Sequence, residues 1–191
     1  MPDVGFGKVF GNRMYSQRYA PDKGWHDAVI GLYHPLALDP AAAVLHYAQE
    51  IFEGTKAYRR PDGKINLFRP WENAKRFNNS AVRMSMPVVD TEAHVEAMAT
   101  LVQLEHAWVP AQDGAALYIR PVMIATDAAL GVTASQTYLH YIIVSPVGPY
   151  FSTGFKPVSV YVESEYVRAV RGGTGAAKTG GNYAASLFVS E

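Results

Sequence analysis

The chain has 191 residues, 49% of them apolar and 18% charged, which is enough for a globular protein with a substantial core. Its formal net charge is zero and no Lys/Arg run exceeds two residues, so charge gives no reason to expect nucleic acid or a membrane as partner. The absence of cysteine excludes disulfides and thiol catalysis. The N-terminus does not resemble a secretory signal, and the expected location is the cytoplasm.

The first predicted elements are a short helix and a hairpin. Asp39-Pro40 is typical of a helix start, so a helix is expected over residues 41–47. Strands are expected over 52–59 and 64–68, because the Pro, Asp and Gly between them favour a chain reversal.

Two longer helices are predicted next. Residues 71–84 place apolar side chains three or four positions apart, which forms one buried stripe. The expected stripe consists of Trp71, Ala74, Phe77, Ala81 and Met84. Thr91 is the expected N-cap of a second helix that runs to about residue 108.

The second half of the chain turns to strands and contains a linker. Residues 116–125 and 138–147 are apolar nearly throughout, which indicates strands covered on both faces. We expect a complete α+β (mixed α/β) domain over 1–148, a linker over 149–155 and the start of a second domain over 156–191, with a strand at 157–164. This second domain is too short to bury a core, so the chain is expected to be a fragment.

The most informative segment is residues 172–183, where Lys178 is the single long amine among residues with almost no side chain. Small neighbours let a flat molecule approach the backbone closely, and the segment contains no carboxylate to pair with the amine. A lysine that is desolvated without a counter-ion becomes a nucleophile that attacks carbonyls. The segment is therefore a candidate for a Schiff-base lysine.

Phosphate binding is the other use of a lysine in a glycine-rich run. Residues 172–179 match the phosphate-loop pattern G-x-x-x-x-G-K-[ST] except at Ala177. Two glycines follow, and each costs roughly 1 kcal/mol inside a helix. The next helix is therefore expected to begin near Asn182 as N-cap, rather than directly after the lysine as in a phosphate loop.

Other polar and aromatic residues have two interpretations each. Tyr118 and Arg120 share one face of a strand, where the arginine needs an anion, either a substrate carboxylate or an internal Asp or Glu. Arg76 lies off the apolar stripe and alone is typical of a solvated arginine. Tyr47 and Phe52 alone favour core packing. The histidines lack metal-ligand spacing, so no metal site is predicted.

Four segments together resemble the branched-chain amino acid aminotransferases, which belong to the fold-type-IV pyridoxal-phosphate enzymes. They are residues 47–58, 67–70, 118–121 and 172–183, in order and with matching spacing. The resemblance implies that Lys178 carries pyridoxal 5′-phosphate as a Schiff base. It also implies that Arg76 binds the phosphate and that Tyr183 lies near the ring oxygen of the cofactor.

The resemblance further implies a substrate pocket, a homodimer and a reaction. Tyr118 and Arg120 would meet the substrate carboxylate, Arg120 chiefly the distal carboxylate of glutamate. In this family the loop at Gly131-Val132 reaches into the active site of a partner subunit. The pocket for the substrate side chain would be formed by Tyr47, Phe52, Val132 and Tyr150. The implied reaction is ping-pong transamination between branched-chain L-amino acids and 2-oxoglutarate.

Several alternatives stay open. D-amino acid aminotransferases and aminodeoxychorismate lyases share the lysine and the phosphate arginine, although residues 118–121 and the long segment before Asp39 favour the branched-chain type. From other classes, an NTPase would require nucleotide and Mg²⁺, and a dimerisation or binding module would have no chemistry. The family's acidic partner of the pyridine nitrogen lies beyond residue 191, so a protein ending at Glu191 is expected to be inactive.

Overall fold

The structure, a computed structural model, describes residues 6–149 and 156–190. Its strands are β1 (Arg13–Ala20), β2 (Gly24–Leu32), β3 (Glu50–Phe52), β4 (Thr55–Arg59), β5 (Ile65–Leu67), β6 (Ala116–Ala125) and β7 (Tyr138–Val147). Its helices are α1 (Ala43–Tyr47), α2 (Pro70–Arg83), α3 (Thr91–Leu104), α4 (Gly180–Ala184) and α5 (Leu187–Ser190), with a 3-10 turn at His106–Trp108. All strand pairs are antiparallel, in the order β2-β1-β7-β6-β4-β5, and β3 also pairs with β6.

The hairpin of β6 and β7 forms the centre of this sheet. Its ladder is continuous from Ala116 opposite Val147 to Ala125 opposite Tyr138. Both strands have the bounds that the sequence predicts and are buried along most of their length. Helices α2 and α3 bury apolar side chains against one face of the sheet, where the β6 residues Leu117, Ile119, Met123 and Ala125 lie at every second or fourth position. The expected cover on both faces is therefore supplied by these helices on one face only. The predicted α+β fold class is confirmed.

Helix α2 agrees with its prediction to within one residue at each end. Its apolar stripe, redefined by the structure as Ala74, Phe77 and Ala81, is fully buried. Trp71 was expected in this stripe and is 53% exposed, because Pro70, four residues before Ala74, takes the buried position in the first turn. Met84 is the C-cap residue and only half-buried.

The starts of α1 and α3 were misplaced because neighbouring side chains satisfy the first free N–H groups. The N-cap of α3 is Asp90, whose carboxylate accepts from Ala93 N at 2.8 Å, and Thr91 is already helical. Helix α3 ends at Leu104 rather than at residue 108. Helix α1 begins at Ala43, because Asp39 accepts from the backbone of residue 41 in a turn before the helix.

The predicted hairpin of residues 52–68 exists, but its first strand is divided. Glu53 and Gly54 interrupt it, so that β3 and β4 pair separately with β6. The expected turn is present, since Gly63 has φ +82° and its N–H donates to Arg60 O at 2.9 Å. The buried carboxylate of Glu53 therefore lies between β3 and β4.

Two predictions after residue 156 are wrong. Residues 157–164 form no strand, because a strand requires a neighbour for its backbone groups and this exposed stretch pairs with none in the described chain. The helix expected from Asn182 is replaced by α4, which starts at Gly180 after the N-cap Thr179, and by α5. Asn182 is turned inward and buried within α4.

The predicted domain boundaries stay predictions, since residues 150–155 of the expected linker lie outside the described residues. No helix in the described parts is long and apolar enough to span a membrane.

Candidate functional site

The Lys178 side chain ends between two aromatic rings. Its Nζ forms a hydrogen bond of 2.6 Å with the Tyr183 hydroxyl. It also lies 4.4 Å from the centroid of the Phe52 ring and 4.9 Å from that of Tyr183. The structure records no ion pair between Lys178 and a carboxylate in the described residues. The amine is therefore held by a hydroxyl and by π faces.

The backbone of Lys178 is bound from two sides by the first part of the chain. Its carbonyl accepts from Phe52 N in β3 at 2.9 Å, and its N–H donates to Ser80 Oγ in α2 at 2.9 Å. The neighbouring Thr179 hydroxyl donates to Glu50 O at 2.7 Å. These contacts place the lysine between the edge of the sheet and helix α2.

Asn182 organises the glycine-rich loop from within. Its side-chain amide donates to Thr174 O at 2.8 Å and to Ala177 O at 2.7 Å, and its carbonyl accepts from the Thr174 hydroxyl at 2.9 Å. This buried side chain closes the loop that precedes the lysine. The loop can therefore keep one shape although it contains several glycines.

The loop geometry argues against a phosphate loop, although helix α4 does follow the lysine directly. A phosphate loop requires backbone N–H groups that converge on the anion. Here the N–H of Gly173 donates to Val170 O, that of Ala177 to Thr174 O and that of Lys178 to Ser80. These donors are already used inside the protein.

Arg76 is not simply solvated. Its Nε donates to Glu53 Oε2 at 2.6 Å, and its Nη2 donates to the other oxygen of the same carboxylate. Glu53 is fully buried and also accepts from Gly54 N at 2.7 Å, whereas the Arg76 side chain is 56% exposed. The bond from Glu53 raises the pKa of Arg76, and the phenols of Tyr183 and Tyr118 act in the same direction. Arg76 therefore lies beside the lysine site with a fixed guanidinium plane.

Tyr118 and Arg120 contact each other at the same site. Arg120 donates to the Tyr118 hydroxyl from Nη2 at 2.9 Å and from Nε at 3.2 Å, and its guanidinium lies 4.7 Å from the Phe52 ring centroid. No internal Asp or Glu forms an ion pair with Arg120 in the part of the chain that is described. The charge of Arg120 nevertheless acts on the nearby internal carboxylate of Glu50, so a substrate carboxylate as the anion stays a prediction.

A second carboxylate, Glu50, lies near the same groups. Burial raises its pKa, while the N–H of Gly180 and the charge of Arg120 oppose that rise. A Cβ on Gly180 would overlap the Glu50 carboxylate, so the glycine allows this close approach. Glu50 thus connects β3 with the start of α4.

Two predicted pocket residues, Tyr47 and Val132, make no recorded contact with Lys178 in the described part of the chain. The Tyr47 hydroxyl donates to Leu130 O in the loop that contains Val132, and the Val132 side chain is 83% exposed. Tyr150 lies outside the described residues. Their assignment to a substrate pocket stays a prediction.

Sequence reasoning missed four of the polar residues at the site, Glu50, Glu53, Ser80 and Asn182. The available signal was a polar residue in an otherwise apolar segment, as with Glu53 between two strands. It also missed His94 and His140, whose rings stack at 5.0 Å in the core. The described residues contain no group of three or more His, Cys, Asp or Glu that could hold a metal ion.

Comparisons with known sequences point to one group of enzymes. No protein-family model matches the chain. It is 54% identical over 185 residues to branched-chain-amino-acid transaminase 1 of Bacillus subtilis (strain 168), covering 96% of this chain and 52% of that protein. It is 53% identical over 189 residues to a probable branched-chain-amino-acid aminotransferase of Streptomyces coelicolor, covering 98% and 52%. The chain thus spans about half the length of the curated relatives it matches.

Solved structures give the same result for the fold. The T.th. branched-chain amino acid aminotransferase, complexed with N-(5′-phosphopyridoxyl)-L-glutamate, matches with a TM-score of 0.71 at 22% identity over 93% of this chain and 53% of that one. The Escherichia coli enzyme matches with a TM-score of 0.68 at 22% identity over 94% and 55%. The chain has the mixed α+β fold of type IV and spans about half the length of these enzymes. Along nearly its whole sequence it is homologous to the branched-chain amino acid aminotransferases.

Proposed function

We propose that the protein containing this chain transfers amino groups between branched-chain L-amino acids (leucine, isoleucine and valine) and 2-oxoglutarate, with pyridoxal 5′-phosphate as cofactor. The observation that carries the proposal is the Lys178 amine between Phe52 and Tyr183, with Arg76 and Arg120 held on two other elements nearby. The names of the relatives support the same activity. The T.th. enzyme has been solved with N-(5′-phosphopyridoxyl)-L-glutamate and with pyridoxamine 5′-phosphate.

The side chains of the site fit this cofactor. Lys178 supplies an amine, and the rings of Phe52 and Tyr183 offer flat faces to a planar ring. Glu53 occupies Nε and Nη2 of Arg76, which leaves its Nη1 donors for a phosphate. When bound, pyridoxal phosphate supplies an electron sink that allows the Cα proton of an amino acid to leave.

Residues of this chain would carry out part of the remaining work. Lys178 Nζ would take up the Cα proton and return it, and the Tyr183 hydroxyl at 2.6 Å orients that amine. Arg120 would bind a substrate carboxylate, with its guanidinium plane fixed by Tyr118 and Phe52. One apolar pocket with one reachable arginine could accept both leucine-like and glutamate side chains.

A homodimer and a cytoplasmic location complete the proposal. The loop that contains Leu130 and Val132 supports the dimer, because both side chains are largely exposed and Tyr47 holds the loop through a backbone carbonyl. Light scattering on the purified protein should give twice the mass of one chain. A mass equal to one chain would contradict the dimer and leave the reaction to be tested separately.

Absorbance spectroscopy tests the reaction. The protein incubated with pyridoxal phosphate should gain a visible band that leucine removes and 2-oxoglutarate restores. Lys178→Ala should abolish the band, and Lys64→Ala, which removes an exposed lysine in a turn, should retain it. A response to D-alanine in place of leucine would favour a D-amino acid aminotransferase. A protein that stays colourless would contradict the proposal.

A further inference from the structure

One hydroxyl joins the turn that carries Arg76 to the backbone of Lys178. Ser80 lies in α2, one turn after Arg76, and is fully buried. Its Oγ donates to Arg76 O at 3.0 Å. Because a hydroxyl has one proton, this bond turns the oxygen lone pairs away from the helix, and Lys178 N donates to them at 2.9 Å.

The hydrogen bond from Lys178 N to Ser80 Oγ lies among residues that are buried from solvent. The residues on either side of Lys178, Ala177 and Thr179, are 4% and 2% exposed. Water could not readily replace a lost acceptor there, and a backbone N–H without a partner is unfavourable. Phe52 N–H holds the next peptide group, on the other side of the Lys178 Cα, by donating to the Lys178 carbonyl. The direction in which the lysine side chain leaves the backbone is therefore set by β3 and by Ser80 together.

We propose that Ser80 is a positioning residue that fixes the distance and orientation of the Lys178 amine relative to the guanidinium of Arg76. This inference rests on the proposed function, in which Lys178 would bind the aldehyde carbon and Arg76 the phosphate of one ligand. The Arg76 guanidinium is oriented separately by Glu53. Loss of the Ser80 hydroxyl therefore moves the Lys178 amine and leaves the Arg76 guanidinium in place. The Ser80 hydroxyl is bonded to backbone groups of Arg76 and Lys178, so it would act through the lysine and not directly on substrate or cofactor.

Hydrogen exchange and steady-state kinetics on Ser80→Ala in the protein that contains this chain test the proposal. Loss of this bond should speed exchange of the Lys178 amide, followed in peptides spanning residues 172–186, by about fivefold or more. In the loaded enzyme kcat should fall by at least about tenfold, because a small misplacement of the reacting amine is costly. The KM for leucine should stay within about twofold of wild type, because Arg120, the proposed carboxylate-binding group, is held by Tyr118 and Phe52.

Ser135→Ala is the matched control. Ser135 is a buried serine whose hydroxyl also bridges two backbone groups, accepting from Asp127 N at 3.2 Å and donating to Thr137 O at 2.8 Å. This variant should leave both exchange of the Lys178 amide and kcat unchanged. Unchanged exchange in Ser80→Ala, or an equal loss of kcat in both variants, would overturn the positioning role. A wild-type protein that neither binds pyridoxal phosphate nor transaminates would instead overturn the proposed function, and the exchange result would stand on its own.

Discussion

Two stacked imidazoles in the core should make the stability of this protein depend on pH. His94 in α3 stacks on His140 in β7 at 5.0 Å and on Phe77 at 5.0 Å. None of the four imidazole nitrogens has a hydrogen-bond partner in the described structure. Burial lowers the pKa of His94 from 6.5 to about 4, although Glu53 opposes the shift, and burial also lowers the pKa of His140 well below its usual range.

Whether stability rises or falls with pH depends on which state, folded or unfolded, binds more protons. Between about pH 6.5 and about pH 4 an unfolded histidine is protonated while the folded His94 is neutral, so stability falls as the pH falls through this window. The pKa difference for His94 corresponds to about 3 kcal/mol in full, of which about 2 kcal/mol would be lost between about pH 7 and about pH 5. His140 shifts in the same direction and adds to the loss. Domains of ordinary stability have roughly 5–15 kcal/mol, so the effect is large.

Urea unfolding at about pH 7 and about pH 5 measures this loss in wild type and in His94→Leu. Leucine has a similar volume and does not titrate, so the variant should lose at least about 1 kcal/mol less than wild type over the same interval. Equal losses in the two proteins would refute the reasoning. An NMR titration of folded wild type in which His94 has an unshifted pKa would refute it as well.

Four further substitutions test local geometry. Glu53→Gln should lower the free energy of unfolding by about 1–3 kcal/mol in urea titrations, because it removes the charge from a buried, ion-paired carboxylate. Gly54→Ala should raise the KM for glutamate about tenfold in steady-state assays, because its Cβ would overlap the Tyr118 hydroxyl; an unchanged KM would contradict this. Asp90→Ala should lower the free energy of unfolding, measured by calorimetry, by about 1 kcal/mol, because Asp90 is the N-cap of α3. Thr91→Ala should lower it less, because Thr91 is already inside the helix.

Sequence patterns predicted the elements whose signal is local. Strands β6 and β7 could be bounded to the residue because their apolar runs are continuous and end at polar or glycine-rich segments. Helix α2 was found from the spacing of its apolar side chains. A helix start depends on which side chain accepts a hydrogen bond from the first free N–H groups, and neighbouring candidates can be chemically alike. Asp90 and Thr91 are such a pair, and the predicted start of α3 was wrong by one residue.

The surroundings of Lys178 could not be predicted in the same way. The partner of its N–H, Ser80, is 98 residues away in sequence, and no periodicity connects two groups at that separation. The expected strand over residues 157–164 failed for a related reason, because β-forming composition does not supply a neighbouring strand. The lysine itself was recognisable because its own neighbours are unusual, whereas its placement depends on tertiary contacts.

Helix α2 connects these long-range contacts, because it carries a polar stripe as well as its apolar one. Arg76, Ser80 and Arg83 are spaced by four and three residues and so share one side of the helix. They bind, in order, the Glu53 carboxylate, the Lys178 N–H and the carbonyls at the start of the glycine-rich loop. Since both stripes belong to one rigid helix, the packing of the apolar stripe sets the position of every group on the polar stripe.

This coupling is testable at Phe77, the largest buried side chain of the apolar stripe. Phe77→Ala should lower the free energy of unfolding by about 3–5 kcal/mol, because it leaves a cavity beneath the helix. If the helix shifts to fill that cavity, exchange of the Lys178 amide should also accelerate under conditions where the variant is still folded. Faster exchange confined to α2 itself would mean that the loop is held by β3 and by its own Asn182 bonds without help from the helix.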